Sequence, residues 1–501
     1  MRLDPRLAAV PVVALVVAVT WVAAVVAPTP HGSAASLSSV IAVREANLVC
    51  PQAGGAGTGP AAGGALASGA TSPGAARIAY ADAGPTDSAD SHLTTQALGA
   101  GASAAPVAIQ PGHGWVVDGP VALTPTQVSV SGSLTDALSA VQFTRTMVGT
   151  VPQASAVQCD GPTTDAWFAG FSSNVGAHAT LLLSNVDSVQ ASANVSIWGG
   201  EGGEPTVRQG IVVAAQTQVV VALDQIDPGL PVAVVHVAAT AGRVVPALRA
   251  DAENGSIPLG VDWLPRTTAP ATTQTVPGIL GDAGSRQLVV GNPGSLDATY
   301  SLTAVTSDGA YVPTEFTSLT VAAGDVSQIS LDPVLQGSAA AIVVTSTQPV
   351  VVGGISTSPP DGTGASDYAF TGAALPLSGP TVVAGGEIAA GRDTTLLLSA
   401  PGADDAAVRV VVLPTLPDSP PVVNDMTVPG GTTTVLDLAS LTTNPAPGVV
   451  VIPEGGGPLY AAWSLTEVLQ DSTDLTELVL QTPTRTLLRP PVQFDPGAGL
   501  P

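Results

Sequence analysis

The side chains that could carry out chemistry do not form a recognisable catalytic or metal-binding motif in this sequence. The chain has no Gly-x-Ser-x-Gly nucleophile elbow, and because it has no lysine it cannot contain a Walker-type phosphate loop. None of the histidines has the His-Glu-x-x-His spacing of a zinc site on a helix. The five histidines are His31, His92, His113, His178 and His236. We expect each to be solvated or packed on a strand, and we predict no catalytic, cofactor-binding or metal-binding residue.

Paired acidic residues are the one feature that could serve an enzyme. A glycoside hydrolase needs two carboxyl groups at a defined separation in space, which spacing along the chain does not establish. The candidate pairs are Asp160 with Asp165, Glu201 with Glu204, Asp224 with Asp227, and Asp404 with Asp405. The interpretation that we favour is that these are loop residues which keep an exported protein soluble.

Two further patterns suggest a ligand only superficially. Residues 361–367 resemble a calcium loop, but they lack the alternating oxygen ligands, and Gly372 stands where an EF-hand has its bidentate glutamate. Tryptophans could stack on sugars, yet Trp21 lies in an apolar run and the others are dispersed. Those on or beside predicted strands are expected to be core residues; they are Trp167, Trp198, Trp263 and Trp463.

The charge balance restricts the partners of the chain. Its 14 basic residues, all arginine, stand against 38 acidic residues, and the formal net charge is −24. Nucleic acid is therefore not expected as a partner, since phosphate binding needs clustered cations. Aromatic residues make up only 3% of the chain, so its apolar core must be built mainly from alanine, valine and leucine.

An apolar run at residues 8–27 is long enough for one bilayer span, which takes about 20 residues. Arg2 and Arg6 precede it and no basic residue follows before Arg44, so the positive-inside rule places the body outside the cytoplasm. We predict an uncleaved membrane anchor within residues 1–30. The alternative is a signal peptide cleaved near Ser33, after which the protein would be secreted.

The two cysteines, Cys50 and Cys159, both follow this run and would reach an oxidising compartment on export. Two cysteines are too few for a cysteine-type zinc site, and neither has a histidine at the spacing of a metal finger. We therefore predict a disulfide between them.

A weak threefold repeat organises the rest of the chain. Leucine-rich segments begin at Leu181, Leu288 and Leu396, which are 107 and 108 residues apart. The same register continues through Ala191, Ala298 and Ala406, then through Val213, Val321 and Val428, and ends at Leu223, Leu331 and Leu438. The repeat preserves apolar residues and turns but no acid, base or nucleophile, so it indicates architecture rather than chemistry.

The repeat predicts an all-β fold. Six or seven short strands per copy, with turns every 8 to 12 residues, are typical of an immunoglobulin-like sandwich. We predict three sandwich units at residues 161–275, 276–382 and 383–501, preceded at 37–160 by an irregular β-rich region with a flexible low-complexity insertion at 52–76. The alternative is a β-propeller in which each copy supplies two blades of about 50 residues.

Several short motifs resemble a family of actinobacterial exported proteins known only as domain of unknown function 5719. They are the N-terminal span, Cys50-Pro51, Cys159-x-x-Pro162 followed by Trp167-Phe168, and the Leu-Leu-Leu-Ser-Asn segment at 181–185. The resemblance implies a location in the cell envelope and no assigned activity or catalytic residue.

These observations favour a non-enzymatic envelope protein. We predict a membrane-anchored, extracytoplasmic scaffold or interaction module whose partner is an envelope protein or polysaccharide. A glycan-binding protein, which would need an outward-facing row of aromatic residues, is the first alternative. A hydrolase that uses paired carboxylates is the second.

Overall fold

A computed structural model describes residues 39–52, 76–82, 91–99, 101–109, 114–118, 124–136, 138–148, 151–200, 202–282, 284–415, 419–469, 472–483 and 486–489. The chain divides into a terminal unit, which comprises residues 1–43 and 484–501, and a body, which comprises residues 44–483. Within the described residues no helix is long and apolar enough to cross a membrane. The predicted anchor at residues 8–27 lies outside the described residues.

The strands of the body fall into four consecutive groups, which we call modules 1 to 4; β1 (Ser39–Ala42) precedes them. Module 1 contains β2 (Glu45–Cys50), β3 (Ala76–Asp82), β4 (His92–Ala97), β5 (Ala105–Pro106), β6 (Trp115–Asp118), β7 (Thr126–Ser131), β8 (Leu138–Val148) and β9 (Val151–Gln158). Module 2 contains β10 (Asp165–Phe171), β11 (Ala177–Asn185), β12 (Ala191–Gly199), β13 (Thr206–Val213), β14 (Thr217–Ala222), β15 (Ala233–Ala241), β16 (Val245–Asn254) and β17 (Ile257–Leu264).

Module 3 contains β18 (Ala271–Ile279), β19 (Ser285–Gly291), β20 (Ala298–Thr306), β21 (Gly309–Tyr311), β22 (Leu319–Val321), β23 (Val326–Ser330), β24 (Ala340–Thr357) and β25 (Tyr368–Gly372). Module 4 contains β26 (Thr381–Val383), β27 (Arg392–Ala400), β28 (Ala406–Leu413), β29 (Val422–Val428), β30 (Thr432–Asp437), β31 (Gly448–Gly456), β32 (Tyr460–Leu469) and β33 (Ser472–Val479). The last strand is β34 (Thr486–Arg489). Among the residues that the structure describes, helical structure is confined to the short helix α1 (Asp332–Leu335) and the 3-10 segments Gly132–Asp136, Thr314–Phe316 and Leu438–Ser440.

The terminal unit contains one antiparallel ladder. Strand β1 pairs with β34, and Ser39 lies opposite Arg489 while Ala42 lies opposite Thr486.

Module 2 is a sandwich of two four-stranded antiparallel sheets. Its first sheet has the strand order β10-β15-β12-β13 and its second sheet has the order β14-β11-β16-β17. In β12 the residues Ala191, Ala193, Val195 and Ile197 are buried and alternate with less buried polar residues, because successive side chains of a strand point to opposite faces. These residues pack against Leu181 and Leu183 of the second sheet in one apolar core.

Modules 3 and 4 repeat this order. If the strands of a module are numbered from one to eight, the sheets read 1-6-3-4 and 5-2-7-8 in module 2 and again in module 4, as β26-β31-β28-β29 and β30-β27-β32-β33. In module 3 both β21 and β22 pair with β20 and together take the place of the fourth strand, and the 18-residue strand β24 supplies both the sixth and the seventh strand, so that it joins the two sheets. The all-β prediction is confirmed. The immunoglobulin-like assignment is not confirmed, since an immunoglobulin domain has its strands in ABED and CFG order.

The region at 37–160, predicted to be irregular, forms module 1. Its sheets, β2-β7-β4-β5 and β6-β3-β8-β9, have the same 1-6-3-4 and 5-2-7-8 order. The leucine register of the other modules does not extend into this region, and the low-complexity insertion separates its first strand from its second. Of that insertion, residues 53–75 lie outside the described residues.

The predicted disulfide is present in module 1. Cys50 at the end of β2 is bonded to Cys159 just after β9, across 109 residues of sequence. Both cysteines are buried in the core of this module, beside Tyr80 and Trp115. The bond therefore joins the first strand of the module to the end of its eighth strand.

The four modules form a closed ring. Their eighth strands are in contact in cyclic order, with β9 against β17, β17 against β25, β25 against β33, and β33 against β9. The first sheet of each module also packs on the second sheet of the next module. Apolar clusters span the four junctions.

Six four-stranded sheets and the eight-stranded sheet of module 3, which β24 runs through, thus follow one another around one axis, as the blades of a β-propeller do. Each sheet, however, takes its strands from both halves of a module, so the module remains a sandwich. The sandwich prediction and the propeller alternative each describe one aspect of the body.

Candidate functional site

The described histidines lie on strands and are not brought together. His92 is exposed on β4. His178 Nδ1 is 3.3 Å from Asp224 Oδ2, and His236 Nε2 is 2.6 Å from Asp165 Oδ1. The ring of His236 stacks on Trp167, with ring centroids 4.1 Å apart. His31 and His113 lie outside the described residues.

The predicted acidic pairs are divided among separate contacts. Asp160 pairs with Arg266, while Asp165 contacts His236. Asp405 accepts a hydrogen bond from the Gly430 backbone, and Glu204 is exposed. Glu201 lies outside the described residues.

The calcium-like loop and the tryptophans have structural roles. In the loop, Asp361 Oδ1 accepts hydrogen bonds from the backbone of Thr363 and Ala365, and Asp367 turns inward to the ring axis. Of the six tryptophans, Trp21 lies outside the described residues, and the other five are at most 9% exposed. They are Trp115, Trp167, Trp198, Trp263 and Trp463. These five therefore do not form a sugar-stacking surface.

Three buried carboxyl groups lie where the eighth strands of the modules meet, on the axis, and we call them the axial cluster: Asp262, Asp367 and Glu477. The eighth strand of each module is an edge strand, so one row of its backbone N–H groups has no partner within its own sheet. Asp367 accepts hydrogen bonds from two such groups, with Val261 N to Oδ1 and Leu475 N to Oδ2 both 3.1 Å. This one carboxylate therefore links modules 2, 3 and 4.

A second carboxylate, that of Asp262, also links three modules. Asp262 Oδ1 accepts a hydrogen bond from the Thr476 hydroxyl at 3.0 Å and a longer one from Ala156 N at 3.4 Å. Ala156 N also donates to the Thr476 hydroxyl at 2.8 Å. Modules 1, 2 and 4 meet in this network, which satisfies buried backbone donors that would otherwise be unpaired.

Burial dominates the electrostatics of this axial cluster. It raises the pKa of Asp262, Asp367 and Glu477 well above the usual carboxyl range, and the neighbouring charges of Asp474 and Asp262 add to the effect at Asp367. Hydrogen bonds from Thr371 to Glu477, and from backbone N–H groups to Asp262, act against this effect but do not outweigh burial. No group of three or more acidic, histidine or cysteine side chains among the described residues is arranged to hold a metal ion.

Gly278 packs directly against Glu477 of this cluster and leaves no space for a side chain of its own. A Cβ atom at Gly278 would lie 1.7 Å from Glu477 Oε1 and 2.7 Å from Ala462 Cβ. We expect Gly278→Ala to lower the free energy of unfolding by about 1–3 kcal/mol more than Gly364→Ala, measured by urea denaturation. Gly364 is a matched control, since its φ of 87° is close to the 85° of Gly278 while its Cβ would meet nothing within 4 Å. Equal losses in the two variants would contradict the tight packing of the axis.

A second polar group closes the ring between modules 4 and 1, and we call it the seam cluster. Its members are Arg145 of β8, Glu387 of the loop before β27, Arg392 of β27 and Glu467 of β32. Arg145 Nε donates to Glu467 Oε2 at 2.9 Å, and its two terminal nitrogens bind both oxygens of Glu387. Arg392 contacts both glutamates as well. Two positive charges thus balance two negative charges.

Asp474 extends the seam cluster towards the axis. It lies directly opposite Glu467 in the pairing of β32 with β33, and it is 2% exposed. Burial and the Glu467 charge raise the pKa of Asp474 to about 7, against the opposing effects of Arg145 and of a hydrogen bond from the Ser472 side chain. Asp474 Oδ2 has no hydrogen-bond partner.

Of these residues the sequence points only to Asp367, as the last residue of the calcium-like segment 361–367. The sequence feature that marks such a residue is a charged side chain inside an apolar strand, as in Val261-Asp262-Trp263. The sequence of one strand does not reveal which other modules that side chain contacts. The axial carboxylates accept backbone hydrogen bonds, and the seam carboxylates form ion pairs with arginines. Both kinds of contact connect one module to another.

Comparison with known proteins places the chain in a family. The model of a family described as a family of unknown function, DUF5719, matches residues 116–439, nearly two-thirds of the chain. No curated protein matches the chain. The chain therefore belongs to the DUF5719 family.

Proposed function

We propose that this protein is a non-enzymatic scaffold or interaction module of the cell envelope, with its body outside the cytoplasm. The observation that carries the proposal is the use of the axial carboxylates. Asp262 and Asp367 are buried and accept hydrogen bonds from neighbouring modules, so they hold the ring together rather than face a substrate.

The disulfide supports the location. The Cys50–Cys159 bond is buried in module 1, and such structural disulfides belong to oxidising compartments. The apolar run at residues 8–27 would hold the body at the membrane, and the partner would be an envelope protein or polysaccharide.

Cell fractionation with N-terminal sequencing tests the location. We expect the intact chain in the membrane fraction, with the body accessible to protease added outside the cell. A soluble product that starts near Ser36 would contradict the anchor, and a body protected from external protease would contradict the export.

Turnover assays test the absence of enzyme activity. The purified chain is incubated with envelope glycans and with ester, peptide and phosphate substrates, and we expect no turnover. Turnover that is abolished in the double variant Asp224→Asn, Asp227→Asn, but retained in the matched variant Asp404→Asn, Asp405→Asn, would overturn the proposal.

A further inference from the structure

The seam is the junction between modules 4 and 1, and it contains the four paired charges of the seam cluster. The two arginines and two glutamates of the seam cluster are mutually paired, and Glu467 is fully buried at the centre. Asp474 lies beside this cluster, opposite Glu467, and no further arginine forms an ion pair with it there. Its negative charge would therefore be unbalanced in a buried site.

The surroundings of Asp474 reinforce this imbalance. Glu467 faces it from β32, directly across the strand pair, where side chains are about 5 Å apart. Asp367 approaches from the loop before β25, and Arg145 approaches from β8. Arg392 and Glu387 are paired with each other and with the remaining seam residues. The two arginines near Asp474 are thus already paired with Glu387 and Glu467, and the residue directly opposite Asp474 is the acidic Glu467.

We propose that the seam is a proton-dependent latch: the ring is tightly closed while Asp474 is neutral, and the contact between modules 4 and 1 loosens when Asp474 loses its proton. The latch is independent of the scaffold role, because it rests only on the geometry of the seam. It would make the closure of the ring depend on the surrounding pH.

The direction of the pH effect follows from linkage. The pKa of Asp474 is about 7 in the folded chain and lies near 3.8 for an unperturbed aspartate. A raised folded-state pKa contributes stability that is fully present below the unfolded value and is lost as the pH rises through the folded value. Local opening of the seam that exposes Asp474 should therefore become roughly tenfold more frequent between pH 6 and pH 8.

Hydrogen exchange on the full-length protein tests the latch. Protection of β8 and β32 is measured at pH 6 and pH 8, corrected for the intrinsic pH dependence of exchange, with β20 of module 3 as the internal reference. We expect protection at the seam to fall roughly tenfold in the wild type relative to β20. We expect Asp474→Asn to abolish this fall and Asp393→Asn, which changes an exposed carboxylate on β27, to leave it unchanged.

Either of two results would overturn the latch. One is a wild-type seam whose protection does not change between pH 6 and pH 8, which needs no variant. The other is an Asp474→Asn protein that retains the full pH dependence, since the titrating group would then lie elsewhere.

Discussion

Replacing Arg145 with methionine is expected to lower the free energy of unfolding by about 3 kcal/mol. The guanidinium of Arg145 binds Glu467, whose side chain is completely buried, and Glu387, which is 11% exposed. Removal of one partner from a buried ion pair leaves an uncompensated charge and costs about 3–5 kcal/mol. We take the low end of this range because Arg392 still pairs with Glu467 and because the Arg145 side chain itself is 33% exposed, so that solvent screens part of the interaction. Urea denaturation monitored by circular dichroism measures the effect.

The matched control for this variant is Arg409→Met. Arg409 also pairs with two carboxylates, Asp425 and Glu454, but all three side chains are substantially exposed. Exposed pairs contribute little, so we expect almost no change. Similar losses in the Arg145 and Arg409 variants would mean that the seam is solvated and does not hold the ring closed.

Reduction of the Cys50–Cys159 disulfide should have an effect of comparable or larger size. The bond closes a loop with a sequence separation of 109 residues, and cross-linking a loop of this length removes up to about 4–5 kcal/mol of chain entropy from the unfolded state in the simplest treatment. The low-complexity insertion lies within this loop. Because the bond ties β2 to the end of β9, its loss should loosen module 1 more than module 3.

Non-reducing peptide mapping followed by hydrogen exchange with and without reductant measures this effect. We expect a single Cys50–Cys159 peptide pair, and on reduction we expect a larger loss of protection in β7 and β8 than in β19 and β20. Two free thiols in protein recovered from its native compartment would refute the bond in the cell. Uniform loosening of modules 1 and 3 would refute the division into modules.

The interior of modules 2 to 4 could be predicted from the sequence because the repeat marks core positions. Leu181, Leu288 and Leu396 are all fully buried in the second strand of their modules. Ala191, Ala298 and Ala406 each begin the third strand, and Val213, Val321 and Val428 end β13, β22 and β29. Close packing tolerates few residue types at such positions, so the pattern persists where surface residues differ.

From the sequence a ring follows only as the propeller alternative, because the determinants of the ring are not local. Each sheet takes strands from both halves of a module, so a propeller-like ring exists without the half-period that a chain of consecutive blades would show. Its closure depends on pairs such as Arg145 with Glu467, which are 322 residues apart. Module 1 does not show the repeat in its sequence, because its core is built from Tyr80, Trp115 and a disulfide, whereas the cores of the other modules contain the repeated leucines.

The length of the family match is a multiple of the repeat period. Residues 116–439 make 324 residues, which is three periods of 108. The match begins at the fifth strand of module 1, β6, and ends just after the fifth strand of module 4, β30. The strands that complete the ring therefore lie outside the matched region, at both ends of the body.

A double-mutant cycle between Arg145 and Glu467 is the most direct test of the closed ring. The free energy of unfolding is measured for the wild type, Arg145→Met, Glu467→Gln and the double variant. Because the two side chains are hydrogen-bonded across the seam at 2.9 Å, we predict a coupling of about 0.5–3 kcal/mol, well above the additivity expected for distant sites. Additivity of the two single losses within about 0.3 kcal/mol would show that modules 1 and 4 do not meet, and would contradict the closed ring.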